Sequence, residues 1–537
     1  MKKNILLLLI LLTSTSLPQG SGISIGTNFI LYPSNVNQSE VFITKHPTNP
    51  DILFASANTI VFTPFFVSEG IYVTTNGGNS WFGSDTCNGP NISFHNGDPS
   101  VAIDKNGTFI LSRLGRQPFY GIYSHYSTDN GINWSVQNKI TSDGESLYER
   151  ATLATDNNPS SPFYGRTYST WVKLTGTFPV EFSYTDDIMQ AWNQTRTINS
   201  SSQRSAGPDI EVGLNGEIFI CYALVSNTSP FNEIALSFAS STDGGNTWNV
   251  TNNIFPVNGI NGLLPQKSNI RVNGLPRIAI DKSNSSTRGT IYVVTTQINL
   301  TPAGSDPDII LYKSTDNGQT WSSGIRVNQD ALNNGKTQYF PAIEVDNYGG
   351  VNIIYYDDRT TTNDSASVFL SRSTDGGNTW TDYKISDHNF KPVPIGGLGQ
   401  GYQGDNIDMT SVENKLYPVW MDNSTGIYQI WSAFISFNPI SVEDQINLIN
   451  DFVLEQNYPN PFNPSTSISF KLAKASFVTL KIFDVLGNEI KTLVNEYKQA
   501  GTHSVQFIAD SFLPGGVYFY RLITENFIDT KKFVYQK

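Results

Sequence analysis

STDGGNTW stands at Ser241–Trp248 and, letter for letter, again at Ser373–Trp380. Close variants occupy Ser314–Trp321 (STDNGQTW), Ser127–Trp134 (STDNGINW) and Thr74–Trp81 (TTNGGNSW). Each octet has the chemistry of a tight reversal. The Asp or Asn accepts turn N–H groups, a Gly supplies positive φ, and the hydroxyls tie the turn shut. The terminal Trp is large enough to wedge between packed layers. Five of the nine tryptophans sit in these octets, which suits a repeated wedge better than five separate ligand sites.

Spacing turns the octet into a fold. The copies begin at 74, 127, 241, 314 and 373, so the gaps are 53, 114, 73 and 59 residues. The gap of 114 is twice 57 and places a sixth copy near 184, where Ser183–Trp192 reads SYTDDIMQAW, a stretched version. A period of roughly 50 to 60 residues without helical patterning means repeated small sheets.

A second repeated element marks the start of each unit. DPSVAID (Asp98–Asp104), GPDIEVG (Gly207–Gly213), LPRIAID (Leu275–Asp281) and FPAIEVD (Phe340–Asp346) share a Pro, alternating apolar residues and a turn. SEVFITKHP (Ser39–Pro47), ERATLATD (Glu149–Asp156) and DNIDMTS (Asp405–Ser411) are weaker versions. Two further apolar runs and the octet follow, giving four short antiparallel strands per unit, the content of a propeller blade. The expected fold is all-β: a propeller of seven blades, with six or eight as alternatives. The last unit has three strands and no octet, and TNFILYPS (Thr27–Ser34) is free to supply its fourth.

The S-x-D-x-G-x-T-W signature resembles the Asp-box (BNR) repeat of the sialidase superfamily, over about residues 27–437. The resemblance implies a sialidase-like propeller with its octets on the face opposite the active site. It carries fold rather than a catalytic set. The early Arg-Ile-Pro motif of that family is absent, and the nearest string, PRIAID with Arg277, lies in the fifth unit.

The opposite face, where first strands begin and second strands end, is where function is expected. Glu40, Asp98, Glu149 with Arg150, and Asp405 stand at first-strand starts. Arg113, Arg116, Asp357, Asp358, Arg359, Trp420 and Asp422 stand at second-strand ends. Asp98, Glu149, Asp358 and Asp405 are the candidate catalytic carboxyls. Glu40, Arg113, Arg116, Arg150, Arg359, Trp420 and Asp422 are the candidate ligand contacts. The bland reading is that all of these satisfy one another at the rim. The five histidines show no ligand spacing, so no metal centre is expected, with calcium at the acidic rim left open. No other cofactor is implied.

Charged residues are only 15% of the chain and the formal net charge is −12, which argues against nucleic acid or an anionic membrane as partner. Lys2 and Lys3 precede an apolar run from Ile5 to Leu12, too short to span a bilayer and placed as in a secretory signal peptide over residues 1–22. The propeller is assigned to 23–437. Two cysteines, Cys87 and Cys221, are too few for a disulfide scaffold, and Cys221 reads as a buried small residue.

Residues 438–452 read as a linker. Beyond it, Pro459, Pro461 and Pro464 forbid regular pairing, and alternating runs follow to the end. Residues 453–537 thus read as a small immunoglobulin-like sandwich. YPNPFNPST (Tyr458–Thr466), LKIFDVLGNEI (Leu480–Ile490), AGTHSVQF (Ala500–Phe507) and GGVYFYRL (Gly515–Leu522) resemble the type A C-terminal sorting domain of the type IX secretion system. That resemblance implies export to the medium or the outer cell surface, with the secretion machinery as partner.

Two function classes stand on this reading, leaving enzymatic activity undecided. One is a propeller that binds glycans or proteins at the channel mouth. The other is a glycoside-active hydrolase or lyase that uses rim carboxyls. A purely structural surface component is the weaker third.

Overall fold

The structure is a computed structural model and describes residues 22–437 and 452–537, leaving out 91, 143, 145, 201, 230, 261, 473–475, 499–500, 511 and 525–526. The expected signal peptide and linker lie, but for their final residues, outside the described part. Two compact units divide the chain, Met1–Asn438 and Pro439–Lys537. Nearly every described element is a strand, and no helix among the described residues is long and apolar enough to cross a membrane.

The first unit is propeller-like. Seven antiparallel sheets carry four strands each in radial order, the first sheet adding Phe65–Glu69 as a fifth, side-paired strand. Their first strands are Asn37–Lys45, Ser100–Ile103, Tyr148–Thr155, Arg204–Val212, Arg277–Ile280, Gln338–Val345 and Asp408–Val412. Each touches the next, and the seventh touches the first, so the inner strands form a closed ring. Strands so placed are covered on both faces, which is why Ser100–Ile103, Arg277–Ile280 and Asp408–Val412 are buried at every position.

Ring closure joins the two ends of this unit. The seventh sheet takes its outer strand from Ile23–Ile30, which runs antiparallel to Gln429–Phe437 with Ile30 opposite Trp431. Asn28 and Asp387 exchange two hydrogen bonds that pin this strand, N–H to Oδ2 at 3.0 Å and N–H to Oδ1 at 2.7 Å.

The octets are turns between third and fourth strands. In Ser314–Trp321 the Ser314 hydroxyl donates to Asp316 Oδ1 at 2.8 Å, and the Thr320 amide and hydroxyl donate to the same carboxylate at 2.9 and 2.6 Å. Those donors, the Thr320 hydroxyl first, hold the Asp316 carboxyl down to about 2. The same bonds recur around Asp243 and Asp375. The tryptophans meet the preceding sheet: Trp134 packs on Phe54, Trp248 on Phe182 and Trp321 on Phe238, at 5.6, 4.9 and 5.2 Å between ring centres. Cys87 and Cys221 are buried and unpaired.

A backbone distortion recurs at the head of the inner strands. Glu40, Asp98, Arg150, Gly207 and Phe340 all have left-handed φ, between 48° and 55°. In four of these sheets the ladder slips beside that residue, between 39 and 42, 149 and 152, 206 and 209, and 339 and 342. Bulges of this kind re-aim a side chain and end a pairing. Here they turn Glu40 and Arg150 toward one end of the central channel, where Asp98 also stands.

Within the ring, Arg277 crosses from the fifth sheet. Its Nε donates to Asp209 Oδ2 at 3.0 Å and its Nη2 to Asp408 Oδ1 at 2.9 Å, while Nη1 reaches Asn406. Asp408 also takes the Ile43 amide at 3.0 Å, so four sheets meet on this one cation. Burial pushes the Asp408 carboxyl up to about 6 even beside the guanidinium.

The second unit is two sheets around one core. Phe452–Leu454, Ser465–Leu472 and Gly501–Ile508 form one; Glu489–Lys498, Ser476–Phe483, Gly516–Ile523 and Ile528–Tyr535 form the other. Phe462, from the proline-rich lead-in, is buried among Phe507, Phe533 and Tyr535.

Arg277→Ala leaves two buried carboxyls without their cation, and we expect it to cost about 3–5 kcal/mol. Chemical denaturation of the purified chain reads this directly, and an unchanged midpoint would remove Arg277 from the role given it here.

Candidate functional site

At the end of the channel where the distorted strand heads converge lies a cavity of about 620 Å³. Glu40, Asp98, Glu149, Arg150 and Asp405, drawn from four sheets or their lead-ins, all line it. Asn58 organises the floor. Its Nδ2 donates to Glu40 Oε2 at 2.9 Å and to the Tyr402 hydroxyl at 3.1 Å, and its Oδ1 accepts the Asp98 amide at 2.7 Å. Asn273 Nδ2 donates to Asp405 Oδ2 at 3.1 Å, and Arg271 Nη2 stands 3.9 Å from the same oxygen.

So many carboxyls in one recess cannot all be charged cheaply. Burial, then Asp405 and Asp98, push Glu40 well above the ordinary carboxylate range. Burial and Asp405 also raise Asp98. Burial in the recess, then Asp98 and Asp405, push Glu149 up to about 8. Glu149 nevertheless reaches solvent through the open cavity, which screens its neighbours, whereas Glu40 beneath it is only 8% exposed. Glu40 is therefore the firmest proton holder of the group.

One wall of the cavity is aromatic. Arg204 lies between the rings of Phe178 and Phe231, its guanidinium carbon 4.7 and 5.0 Å from their centres. Glu233, on the same wall, accepts the Gly274 amide on Oε1 at 3.2 Å, while its buried Oε2 has no partner. Burial pushes Glu233 up to about 7.

An insertion completes the rim. Between the fourth and fifth sheets, Gly262–Leu264 and Ile270–Val272 form a separate hairpin that carries Arg271 to the mouth. Its Arg271 amide donates to Gly401 of the glycine-rich loop before the seventh sheet, at 2.7 Å. Lys267, at the hairpin tip, is fully buried. It donates to Asp358 Oδ2 at 2.6 Å and to the carbonyls of Asn363 and Ser365 at 2.7 and 2.8 Å.

Asp358 thus stands away from the mouth, because its charge is taken up by that lysine. The other second-strand residues are also drawn elsewhere. Arg113 is fully buried, donating to His125 at 2.9 Å, to the carbonyls of Ser93, Phe94 and Leu114 and to Gln137. Arg116 lies over the Phe66 ring and does not line the cavity. Arg359 binds Asp357, at 2.6 Å, and Asp382 within its own sheet. Trp420 is buried and donates to Asp422 at 3.1 Å, and Asp422 also holds His388 at 3.0 Å. The expected convergence of second-strand ends fails here because each side chain is taken up by another partner: its own sheet for Arg359 and Trp420, the first sheet for Arg116 and the inserted hairpin for Asp358.

A second cavity, about 540 Å³, opens at the other end of the channel. Its cations are closed by pairs such as Lys45–Glu344 at 3.1 Å and Lys282–Glu211 at 2.7 Å. Among the described residues no group of three or more His, Cys, Asp or Glu is placed to hold a metal ion.

Sequence reasoning missed Asn58, Tyr402, Arg204, Phe178, Phe231, Glu233 and Arg271. The long stretch between the octet at 241 and LPRIAID at 275 signals an inserted element, but nothing in it tells which side chain faces the mouth.

The chain's last part, residues 456–536, matches the family of secretion system C-terminal sorting domains. That domain marks the protein for type IX export to the cell surface or the medium and implies contact with the secretion machinery. No curated protein matches the chain. Among solved structures it is similar to a protein of unknown function from Dyadobacter fermentans, at 12% identity, covering 78% of this chain and all of that one, TM-score 0.45. It is similar to an ulvan lyase of polysaccharide lyase family PL25 bound to -[GlcA(1-4)Rha3S]-, at 10% identity, covering 75% and 94%, TM-score 0.48. The NanB sialidase of Streptococcus pneumoniae gives 10% identity, 78% and 71% coverage and a TM-score of 0.38.

Two outcomes follow from this geometry. Asp358→Ala strands the buried Lys267 ammonium and should cost about 3–5 kcal/mol in a denaturation curve; a cost near zero would show the hairpin held by other means. Glu40 holds its proton to higher pH when folded than when unfolded, where it titrates at about 4.3. Stability is therefore fullest below that value and falls as the pH climbs toward the raised folded value. Glu40→Gln should flatten this fall above about pH 5, measured by unfolding midpoints.

Proposed function

We propose that this chain is a seven-bladed Asp-box propeller, exported by its immunoglobulin-like C-terminal sandwich, which binds a carbohydrate in the mouth cavity. The observation that carries this reading is the recess of mutually crowded carboxyls, with Arg150 and Arg271 among them and Phe178 and Phe231 on one wall. A sugar offers hydroxyls at its edge and an apolar face. A carboxyl that keeps its proton can both donate to and accept from a hydroxyl, which a carboxylate cannot. An aromatic wall beside convergent polar groups is the usual make-up of a small-ligand pocket.

A glycoside-active enzyme is the second reading, and Glu149 favours it. The recess, with Asp98 and Asp405, raises its carboxyl toward the protonated form that a general acid needs, and its opening to solvent lets a substrate reach it. On that reading Glu149 gives its proton to the departing glycosidic oxygen, and the neighbouring Asp98 or Asp405 assists the incoming group.

Screening the purified chain on a glycan array and against fluorogenic glycosides tests both readings. Binding should weaken at least tenfold in Arg150→Ala, and bound glycan should release as the pH rises past about 8. If the chain is an enzyme, Glu149→Gln should lower turnover by about 10²–10⁴ while retaining binding. A chain that retains no glycan and turns over no glycoside would sink both.

A further inference from the structure

Two turns of the C-terminal unit hold large apolar side chains out into water. In the first, Asp484 Oδ1 accepts the amides of Leu486 and Asn488, both at 2.8 Å, and Oδ2 accepts Asn488 Nδ2 at 2.9 Å. Val485 and Leu486 are 67% and 84% exposed as a result. In the second, Asp510 Oδ1 accepts the amides of Phe512 and Leu513 at 3.0 and 2.9 Å. Leu513 turns into the core and Phe512 turns out, 91% exposed.

The two turns lie at one end of the unit. Phe483, which leads into the first, faces Phe519 across the ladder, and the second leads into Gly516, which faces Tyr535 near the chain's end. Exposed Ile508 and Val517 flank the second turn. These side chains are displayed on hydrogen-bonded turns, so their exposure is built in. Exposed apolar groups in one place mark a contact surface. Groups already fixed in position lose little freedom on docking, which makes them good anchors.

We propose that this end is the surface by which the chain is received by the type IX export machinery, with Leu486 and Phe512 entering apolar sockets on a machinery component. Both turns fall within the stretch matched to the sorting domain, whose role is that encounter. Two turns offer far less than the roughly 20–30 residues a side of a stable dimer, but enough for a partner that must later let go. The proposal is independent of what the mouth cavity binds.

The test follows the full chain in a bacterium that carries this secretion system, comparing periplasm with surface and medium. The double variant Leu486→Ser, Phe512→Ser should export at least tenfold less and accumulate in the periplasm. Tyr497→Ser, at the other end of the unit where Tyr497 leans on Phe477, should export as the parent does. Thermal midpoints of the purified chains control for folding; should the serine pair melt early, Leu486→Lys with Phe512→Lys is judged in the same way. Undiminished export of the folded double variant would overturn the proposal, as would an equal loss from Tyr497→Ser. So would a parent dimer that the double variant dissolves while export continues, since the occupant would then be a second copy of the chain.

Discussion

Everything in the first unit depends on closing a circle. Seven small sheets cannot each bury both faces unless every one has a neighbour on either side, and a row of them would leave two bare faces and two raw edges. The ladder between Ile23–Ile30 and Gln429–Phe437 prevents that by tying the start of the unit to its end. The entropy of joining such distant segments grows only slowly with the length between them, so one strand's hydrogen bonds go far toward offsetting it. Around the seam, Asn28 and Asp387 grip each other, and the His388 ring packs at a tilt 4.5 Å from that of Trp431 while bonding Asp387 and Asp422. Those two carboxylates, Asp422 first, raise the His388 imidazole above its ordinary value, so the seam is an ion-paired one in acid.

Inside the circle the same logic repeats at smaller scale. The mouth recess exists because first strands from different sheets present their heads to a common axis. Beneath it, Arg277 gathers Asp209 and Asp408 into a plug. The two charge clusters differ in contact. Both plug carboxyls bond the one guanidinium directly, at 3.0 and 2.9 Å, while at the mouth Arg271 stands 3.9 Å from Asp405 and Glu40, bonded by the neutral Asn58, keeps its proton.

Local chemistry was what the sequence made readable. An octet's hydroxyls, Asp, Gly and Trp bond within a few residues of one another, so their roles survive without knowing the fold. Glu40, Asp98, Glu149 and Asp405 could be grouped because each precedes or opens a first strand whose pattern repeats. Asp358 and Arg359 could not be placed, since their fates hang on Lys267 and Asp382, which no spacing rule links to them. Arg271 and Tyr402 escaped for the related reason that they ride on an insertion and a connection, where periodicity is lost, while Arg204 opens its inner strand ahead of the repeated Gly-Pro element. Pairing across the ring is a property of closure, and a linear string does not display it.

The left-handed heads of the inner strands narrow how this protein could change its specificity. A β-branched residue at position 40, 98 or 150 would meet its own backbone there, whatever its fit to a ligand. Glycine, asparagine and aspartate tolerate that conformation best, and glycine would surrender the side chain altogether. Retooling of the mouth by descent or by design therefore draws on a short alphabet at these three places. Variety has to come instead from places such as Leu263 and Arg271 on the inserted hairpin, which lie at the mouth outside the left-handed region.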